Sequence, residues 1–471
     1  MGIKKGQVVQ LSVESTAFKG KGVARYEGQA VFVPNTAPGD VVEARIINKK
    51  KNFLEAKVTS IINPSPLRIK PVCSHAEVCG GCTWQHLPYG EQLKIKEQHV
   101  RDHMERIAGL PAEIVKPIIG CENDLYYRNK MEYSFGTRRW LSEKEIRSEE
   151  FIDDEAFAAG LHAPGRYDKI LNLNECHLQD NISYQILEFV RSYCITNHIP
   201  AFDTHRKAGL MRHLVLRNSH YKDDLMVNIV TFEDQPETMA ALTENLINRF
   251  PRITTIINNI NDQHNPTAIG RYEKILYGPG YITDSIGSHY FKIHANAFFQ
   301  TNTKQAEVLY NVARLYCDGT NNAHLFDLYC GVGTLSLFMA DTFKQVTGIE
   351  IVEIAVENAR FNAVENHVHN VNFVLGDMKD ILNDQFLADY GLPDCIITDP
   401  PRSGMHPDVV EKLSELKVPR LVYVSCNPST MARDLYSLKN YYDIEEIQPV
   451  DMFPQTYHIE AVAKCTRKND N

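Results

Sequence analysis

From about residue 290 onwards, short apolar runs alternate with segments in which apolar residues recur at helical spacing. The clearest unit is Leu325–Leu335, LFDLYCGVGTL, which predicts a buried strand, a glycine turn and a helix from Thr334 to about Ala340. Further strands are predicted at Gln345–Ile349, Asn372–Leu375, Cys395–Thr398 and Leu421–Val424. Strands that alternate with helices in this way are typical of an open, mainly parallel α/β sheet.

The beginning of the chain has a different pattern, in which short runs rich in β-branched residues are separated by glycine-containing turns. Five such runs lie at Val8–Ser12, Gly22–Arg25, Ala30–Val33, Asp40–Ile47 and Phe53–Ile61. Five short strands with glycine turns predict an OB-like barrel, a fold that often binds single-stranded nucleic acid. The sequence Asn63-Pro64-Ser65-Pro66 has the composition of a linker. We therefore predict three domains, at residues 1–63, 64–289 and 290–471.

The middle of the chain mixes helical and strand patterns and predicts an α+β domain. Glu91–Ile107 has helical spacing and ends before a glycine, whereas Leu225–Thr231 and Thr254–Asn259 are strand-like. Tyr126–Phe135 alternates cationic and aromatic side chains. Such a segment is a candidate RNA surface, because aromatic rings stack on bases and cations contact phosphates. An ordinary amphipathic strand explains the same pattern equally well.

Composition and charge narrow the class of protein. The chain has 471 residues, of which 43% are apolar and 23% charged, as in ordinary globular proteins. It contains no run of about 18 apolar residues and no apolar signal-peptide core, so we expect a cytoplasmic protein without a membrane segment. The net charge is −9, yet residues 1–70 carry twelve Lys and Arg against five Asp and Glu. A basic module on an acidic body favours a phosphate-containing partner.

A group of cysteines near residue 80 has the spacing of a metal-binding loop. Cys73, Cys79 and Cys82 lie close together, with two glycines between the last two. A fourth ligand is needed, and Cys176 is the best candidate, whereas Cys121 and Cys194 lack a similar loop setting. Four thiolates can hold zinc or an iron–sulfur cluster. Three clustered cysteines with one remote cysteine favour a [4Fe-4S] cluster over zinc.

Reactive residues follow the predicted strands of the last domain. In an open α/β sheet the ligand lies beyond the carboxyl ends of the strands, so Glu350, Asp399 and Cys426 should meet in one cleft. The glycine turn has Ser336 where the dinucleotide fingerprint needs its third glycine. S-adenosyl-L-methionine (SAM) therefore fits better than NAD. Glu350 could accept hydrogen bonds from ribose hydroxyls, and Asp377 is suitably placed for an adenine amino group.

A thiol, a carboxylate and a SAM site together suit methyl transfer to C5 of a pyrimidine. C5 of uracil is a weak nucleophile until a thiolate adds at C6. A base must then remove the C5 proton before the thiolate can leave. Cys426 is the candidate nucleophile, and Glu460 or Asp399 is the candidate base.

Several motifs then identify a family. The TRAM-like start KGKGVAR, the four cysteines, FFQTN, DLYCGVGT, GIE, DPPRSG, VSCNP and HIEAV occur in the order seen in RNA 5-methyluridine methyltransferases. The chain most resembles the bacterial 23S ribosomal RNA (uracil-5-)-methyltransferases. The resemblance implies that Cys426 is the nucleophile, that Glu460 is the base, and that the four cysteines hold a [4Fe-4S] cluster. It also implies SAM contacts from Gln300, Tyr329, Glu350 and Asp399, with Asp377 as a weaker assignment.

Other functions remain open at this point. The same reaction could occur on the T-loop uridine of tRNA, although enzymes of that kind generally lack the barrel and the cysteine cluster. An RNA cytosine-5 methyltransferase would need a second cysteine near Asp399-Pro400-Pro401-Arg402, which the sequence lacks. A non-catalytic RNA-binding iron–sulfur factor would leave Cys426 and Glu460 without a role. We also expect a monomer, packing of residues 91–120 with the catalytic domain, and a lineage-specific loop at residues 141–160.

Overall fold

The computed structural model describes residues 3–148, 155–319 and 321–469. The N-terminal strands form a closed barrel in the order β1-β2-β3-β5-β4, which confirms the predicted barrel. Alternate residues of β1, namely Val9, Leu11 and Val13, point inwards and are buried. The strands are β1 (Val8–Thr16), β2 (Gly22–Tyr26), β3 (Gln29–Val33), β4 (Val41–Lys49) and β5 (Phe53–Asn63).

The middle of the chain is built around a seven-stranded sheet with the order β12-β11-β10-β9-β6-β7-β8. Its strands are β6 (Lys130–Arg138), β7 (Glu155–Ala163), β8 (Arg166–Asn172), β9 (Met211–Asn218), β10 (Leu225–Thr231), β11 (Thr255–Ile260) and β12 (Tyr272–Tyr277). The helices of this region are α1 (Tyr89–His103), α2 (Glu143–Arg147), α3 (Asn181–Thr196) and α4 (Pro236–Arg249). A separate hairpin follows, made of β13 (Tyr281–Ile286) and β14 (His289–His294).

Two sequence interpretations of this region change. Most of the aromatic side chains in residues 126–135 are buried, namely those of Tyr127, Tyr133 and Phe135. These three rings pack inside the domain and are not free to stack on bases, whereas Tyr126 is exposed. Residues 141–160 are not simply a loop, because they include α2 and the first part of β7. Residues 149–154 of that segment lie outside the described residues.

The last part of the chain forms a second seven-stranded sheet, with the order β17-β16-β15-β18-β19-β21-β20. The strands are β15 (His324–Leu328), β16 (Gln345–Glu350), β17 (Val371–Leu375), β18 (Cys395–Thr398), β19 (Arg420–Ser425), β20 (Tyr442–Val450) and β21 (Glu460–Arg467). The helices are α5 (Thr303–Cys317), α6 (Thr334–Ala340), α7 (Glu353–Glu365), α8 (Met378–Ile381), α9 (Asp384–Tyr390), α10 (Pro407–Glu415) and α11 (Pro428–Leu438). This sheet confirms the predicted α/β class.

The direction of the strands decides where the site lies. The first five strands in that order are parallel, whereas β21 runs antiparallel to both β19 and β20. Helices cover both faces of the sheet, which explains why its strands are apolar on both sides. Because β21 is antiparallel, it begins at the edge where the parallel strands end. Residues at the start of β21 therefore lie beside residues that follow β18 and β19.

The first helix of the central region and the chain after it contact this sheet directly. Val100 and Met104 share a hydrophobic core with Phe326 and Leu435. After α1 the helix continues as one π turn, Met104–Ala108, and ends at Gly109 with a left-handed backbone. The chain after α1 also lies beside β20, because isolated backbone bridges join Val115 to Ile447 and Ile119 to Val450 of that strand. Among the helices of the described residues, none combines the length and apolar character needed to cross a membrane.

Candidate active site

Cys426 and Glu460 lie at the ends of two paired strands. Ser425, the last residue of β19, is opposite Ala461 of β21, so Cys426 and Glu460 follow as the next residues beyond that pair. Glu460 is only 8% exposed, and Cys426 is half-buried. Burial, followed by the charge of Glu460, raises the pKa of the Cys426 thiol to about 11. Burial also raises the pKa of Glu460 well above its ordinary value.

Asp399, Arg402 and His458 complete the electrostatic surroundings of this pair. Removal from water raises the pKa of Asp399 to about 7. The charge of Asp399 raises the pKa values of Cys426 and Glu460, and the Arg402 guanidinium opposes both shifts. Burial and then Arg402 lower the pKa of His458 to about 4, which keeps its imidazole neutral. The structure therefore gathers a thiol, two carboxyls, a cation and a neutral imidazole at one edge.

The glycine turn after β15 leaves room for a ligand. Gly331 and Gly333 both have left-handed backbones, with φ of 54° and 80°. A Cβ atom at Gly331 would meet nothing within 4 Å, whereas one at Gly333 would lie 2.7 Å from the Phe373 ring. Gly333 is thus required by packing. Gly331 instead faces open space, as a backbone that approaches a ligand should.

Glu350 fixes this turn at the end of β16. One carboxylate oxygen accepts a hydrogen bond from the Gly331 N–H at 3.0 Å. The other oxygen accepts from the N–H groups of Ile351 and Val352, both at 2.9 Å. Each carboxylate oxygen has lone pairs beyond these bonds. Glu350 therefore orients the turn and can still accept hydrogen bonds from a ligand.

The other predicted SAM contacts lie around the same edge. Tyr329, directly after β15, has a left-handed backbone with φ of 66° and is half-buried. Asp377 follows β17 and caps α8, where its carboxylate accepts a hydrogen bond from the Lys379 N–H at 3.1 Å. Burial, followed by the charge of Asp377, raises the pKa of Tyr329 to about 12. The backbone oxygen of Gln300 accepts a hydrogen bond from Asn129 at 2.8 Å. That bond ties the segment before α5 to the central region.

Asp327 is a site-proximal residue that the sequence analysis missed. Its side chain is 1% exposed within β15 and accepts a 2.6 Å hydrogen bond from the Ser336 hydroxyl. The other carboxyl oxygen has no hydrogen-bond partner among the described residues. Burial, with smaller contributions from Asp399 and Glu350, raises the pKa of Asp327 to about 7. The available signal was an acid inside an otherwise apolar strand, LFDLYC.

The four predicted metal-ligand cysteines line a single cavity between the Cys73–Cys82 loop and the chain before α3. Hydrogen bonds join these segments, among them one from the Ser74 N–H to Glu175 at 2.5 Å and one between the His75 and Asn174 side chains at 2.6 Å. Burial raises the pKa values of all four thiols. The charges of neighbouring cysteines add to the shifts of Cys73, Cys79 and Cys82. Cys194 lies instead in the hydrophobic core of the central region.

The thiols do not form a site for one metal ion. Within the described parts of the chain, no group of three or more His, Cys, Asp or Glu side chains converges tightly enough to hold such an ion. Among these residues, neither a zinc site nor a cluster site is therefore seen preformed. An iron–sulfur cluster at these cysteines stays a prediction.

Comparison with known proteins agrees with this architecture. Residues 263–468 match the family model described as tRNA (Uracil-5-)-methyltransferase, and residues 3–59 match the TRAM domain. An uncharacterized RNA methyltransferase of Porphyromonas gingivalis is 41% identical over 467 residues, which cover 98% of this chain and 100% of that protein. One from Chlorobaculum tepidum is 40% identical, over 98% of this chain and 96% of that protein.

A solved structure extends the agreement to the whole fold. The tRNA (uracil-54, C5)-methyltransferase of Pyrococcus abyssi, in complex with S-adenosyl-L-homocysteine, is 28% identical and aligns with a TM-score of 0.76. The alignment covers 97% of this chain and 99% of that one, so it includes the barrel as well as the catalytic sheet. The chain belongs to the family of SAM-dependent RNA (uracil-5-)-methyltransferases and carries an N-terminal TRAM domain.

Proposed function

We propose that the enzyme methylates C5 of a specific uridine in 23S ribosomal RNA through a covalent bond between Cys426 and C6 of uracil. The observation that carries the proposal is the position of Cys426 beside Glu460, at the sheet edge that also carries the glycine turn. A nucleophile, a base and space for a methyl donor are the minimum set for this reaction. Cys426, Glu460 and the open space beside Gly331 are our candidates for these three parts, because they lie at one edge of the sheet.

The covalent mechanism assigns one step to each residue. The Cys426 thiolate adds to C6 of uracil, and the electron pair of the C5–C6 double bond moves into an enolate. C5 then attacks the methyl group of SAM, and S-adenosyl-L-homocysteine leaves. Glu460 removes the proton from C5, the double bond re-forms, and the bond from C6 to sulfur breaks. The thiolate and the methylated uridine are thereby released.

The charges around the site suit these steps. In the free enzyme, Cys426 is mainly a thiol, because burial and the charges of Glu460 and Asp399 raise its pKa to about 11. The charge of Arg402 opposes this rise. The raised pKa of Glu460 makes its carboxylate a stronger base than an exposed one. Asp399, with a pKa of about 7, is the second candidate base. Its side chain also raises the pKa of Glu460, so the two carboxyls act on each other.

The methyl donor is assigned to the open space beside Gly331. Glu350 would accept hydrogen bonds from the ribose hydroxyls, and Asp377 would bind the adenine amino group. Tyr329, Gln300 and Asp399 would contact the remainder of the donor. These assignments are supported by the common sheet edge from which Tyr329, Glu350 and Asp377 extend.

We also assign a [4Fe-4S] cluster to Cys73, Cys79, Cys82 and Cys176. The assignment is supported by the cavity that all four thiols line, and by the charges of neighbouring cysteines that raise the pKa values of Cys73 and Cys82. Thiols crowded in this way resist ionisation, and bound iron would favour the thiolates. Methyl transfer needs no electron, so the cluster would stabilise the folded central domain and its RNA-binding surface.

The tRNA T-loop is the second candidate substrate. The Pyrococcus abyssi enzyme acts on uracil 54 of tRNA, and its chain aligns with this one through the barrel. The barrel therefore does not by itself distinguish an rRNA substrate from a tRNA substrate. The cysteine cluster is the remaining feature that favours 23S rRNA.

Two experiments test the proposal. Mapping 5-methyluridine in RNA from a deletion strain should show its loss from 23S rRNA, whereas loss from tRNA alone would overturn the rRNA assignment. Cys426→Ala should abolish methylation while the protein still binds RNA and SAM. Cys194→Ala, which removes a buried thiol far from the sheet edge, is the control and should retain activity. Activity in the Cys426 variant would remove that residue as the nucleophile.

A further inference from the structure

A fully buried ion pair joins α1 to the chain that leads to Glu460. The Lys96 ammonium lies 2.7 Å from a carboxylate oxygen of Asp451, and both side chains have no exposed surface. Asp451 opens the connection between β20 and β21, residues 451–459, and Glu460 is the residue that follows it. Burying two charges carries a desolvation penalty that a surface pair would avoid. A pair kept at this cost suggests a role in specifying one conformation.

The pair closes a turn at the start of the 451–459 connection. Lys96 also donates a hydrogen bond to the Phe453 carbonyl at 3.1 Å. The Asp451 carboxylate accepts from the Phe453 N–H and from the Tyr89 hydroxyl, each at 3.0 Å. The Asp451 N–H donates to the Ile119 carbonyl at 2.9 Å. The turn is therefore held by side chains of α1, by the backbone of the chain after α1, and by a hydrogen bond within the turn itself.

Gln455 is held just as completely in the middle of the same connection. Its backbone is left-handed, with φ of 67°, a conformation that side-chain-bearing residues adopt at a cost. Gln92 on α1 accepts from the Gln455 N–H at 3.0 Å and donates to its side-chain oxygen at 2.9 Å. The Gln455 carbonyl accepts from the N–H groups of Thr83 and Trp84. Such strain persists only where surrounding bonds determine the conformation.

We propose that Lys96 and Asp451 are positioning residues for proton abstraction, because their buried pair fixes the connection that places the Glu460 carboxylate beside Cys426. This inference rests on the proposed role of Glu460. Neither residue is expected to contact the substrate, and neither is needed for thiolate attack. Loss of the pair should therefore slow removal of the C5 proton more than the steps that precede it.

The test compares two RNA substrates in the full-length enzyme. RNA with 5-fluorouridine at the target position passes through thiolate addition and methyl transfer, but it has no C5 proton to lose and stays covalently bound. Its rate of adduct formation reports the early steps alone. RNA with ordinary uridine reports proton removal, through adduct accumulation on denaturing gels and the rate of product release.

The main variant is Lys96→Met with Asp451→Leu, which replaces both buried charges with apolar side chains of similar size. Replacing both members avoids leaving one charge buried and unpaired. We expect an unchanged rate of 5-fluorouridine adduct formation and an unchanged KM for RNA. With uridine RNA, we expect product release to slow by about 10²-fold, because a base displaced by about 1 Å loses roughly that factor in rate. The covalent adduct should then accumulate. If this variant does not fold, Lys96→Gln with Asp451→Asn is measured instead, with the same expected outcomes. The two amides remove both charges, and the amide side chain at position 451 can still form hydrogen bonds with the Tyr89 hydroxyl and the Phe453 N–H.

The matched control is the partly exposed pair Lys116–Glu446, whose side chains join the chain after α1 to β20 at 3.0 Å. Lys116→Met with Glu446→Leu should leave both rates unchanged. Equal slowing of both substrates in the Lys96 variant would indicate a merely structural pair and overturn the proposal, as would no slowing at all. Failure of the wild-type enzyme to form the 5-fluorouridine adduct would instead overturn the covalent mechanism itself.

Discussion

Cys426 and Glu460 are neighbours across two antiparallel strands, one residue beyond the pair formed by Ser425 and Ala461. The neighbourhood arises because β21 enters the sheet at the edge where β19 leaves it. The charge of Glu460 raises the pKa of Cys426, so the two side chains influence each other in the free enzyme. A base beside the nucleophile suits a reaction in which the proton and the thiolate leave adjacent carbons, C5 and C6.

Glu460→Gln should trap the covalent enzyme–RNA adduct. Glutamine keeps the shape of the side chain but cannot accept the C5 proton, and removal of the charge lowers the pKa of Cys426. Attack and methyl transfer should therefore proceed while release stops. The adduct should appear as a slowly migrating band on denaturing gels, and Cys426→Ala should abolish it. An active Glu460 variant without the adduct would transfer the role of base to Asp399, which Asp399→Asn then tests.

The reactivity of Cys426 should depend steeply on pH. Alkylation needs the thiolate, and burial with the nearby carboxylates places the pKa of Cys426 at about 11. The rate of iodoacetamide modification, followed by peptide mass spectrometry, should thus rise about tenfold per pH unit towards pH 11. Arg402→Gln should slow alkylation near neutral pH because it removes the cation that favours the thiolate. A plateau near pH 8 in the wild-type enzyme would contradict this assignment.

The sequence anticipated the parts of the fold that depend on local pattern. Glycine turns and β-branched runs identified the barrel, and apolar runs followed by Glu350, Asp399 and Cys426 identified the sheet edge. Such features are local, because a strand and the residue after it are read from a few neighbouring positions. The domain boundaries and the roles of these residues stay predictions.

Tertiary packing explains what the sequence analysis missed. Tyr133 and Phe135 looked like a stacking surface, yet both are buried, because strand periodicity does not reveal which face is covered. Lys96 is an unremarkable lysine within a helical pattern. Only the long-range approach of Asp451 makes it a buried ion-pair partner. Asp327 acquires its raised pKa through burial and the nearby carboxyls.

Cys176 should be required for iron binding although it lies far along the chain from the other three cysteines. Anaerobically purified wild-type protein should be brown, with broad absorption near ~400 nm from charge transfer between sulfur and iron. Cys176→Ser should reduce this absorption and the iron content, because only three thiolates remain. Cys194→Ser, which changes a thiol in a hydrophobic core, should retain both. Colourless wild-type protein that contains zinc would overturn the cluster assignment.

Asp327 should make the stability of the enzyme depend on pH. Its pKa is about 7 in the folded protein against an ordinary value of 3.8, so the folded state binds its proton more tightly than the unfolded state does. This residue's contribution to the free energy of unfolding should therefore fall as the pH rises from about 4 to about 7. Asp327→Asn keeps an acceptor for the Ser336 hydroxyl and removes the buried charge.

The Asn variant should consequently be more stable than the wild type at pH 8, by a few kcal/mol, and close to it at pH 4. Urea unfolding at several pH values measures the difference, and the pH dependence that distant groups contribute is the same in both proteins. The exposed Asp389 supplies the control, because Asp389→Asn should leave the pH dependence as in the wild type. A stability difference that is the same at pH 4 and pH 8 would show that Asp327 does not hold its proton in the folded enzyme.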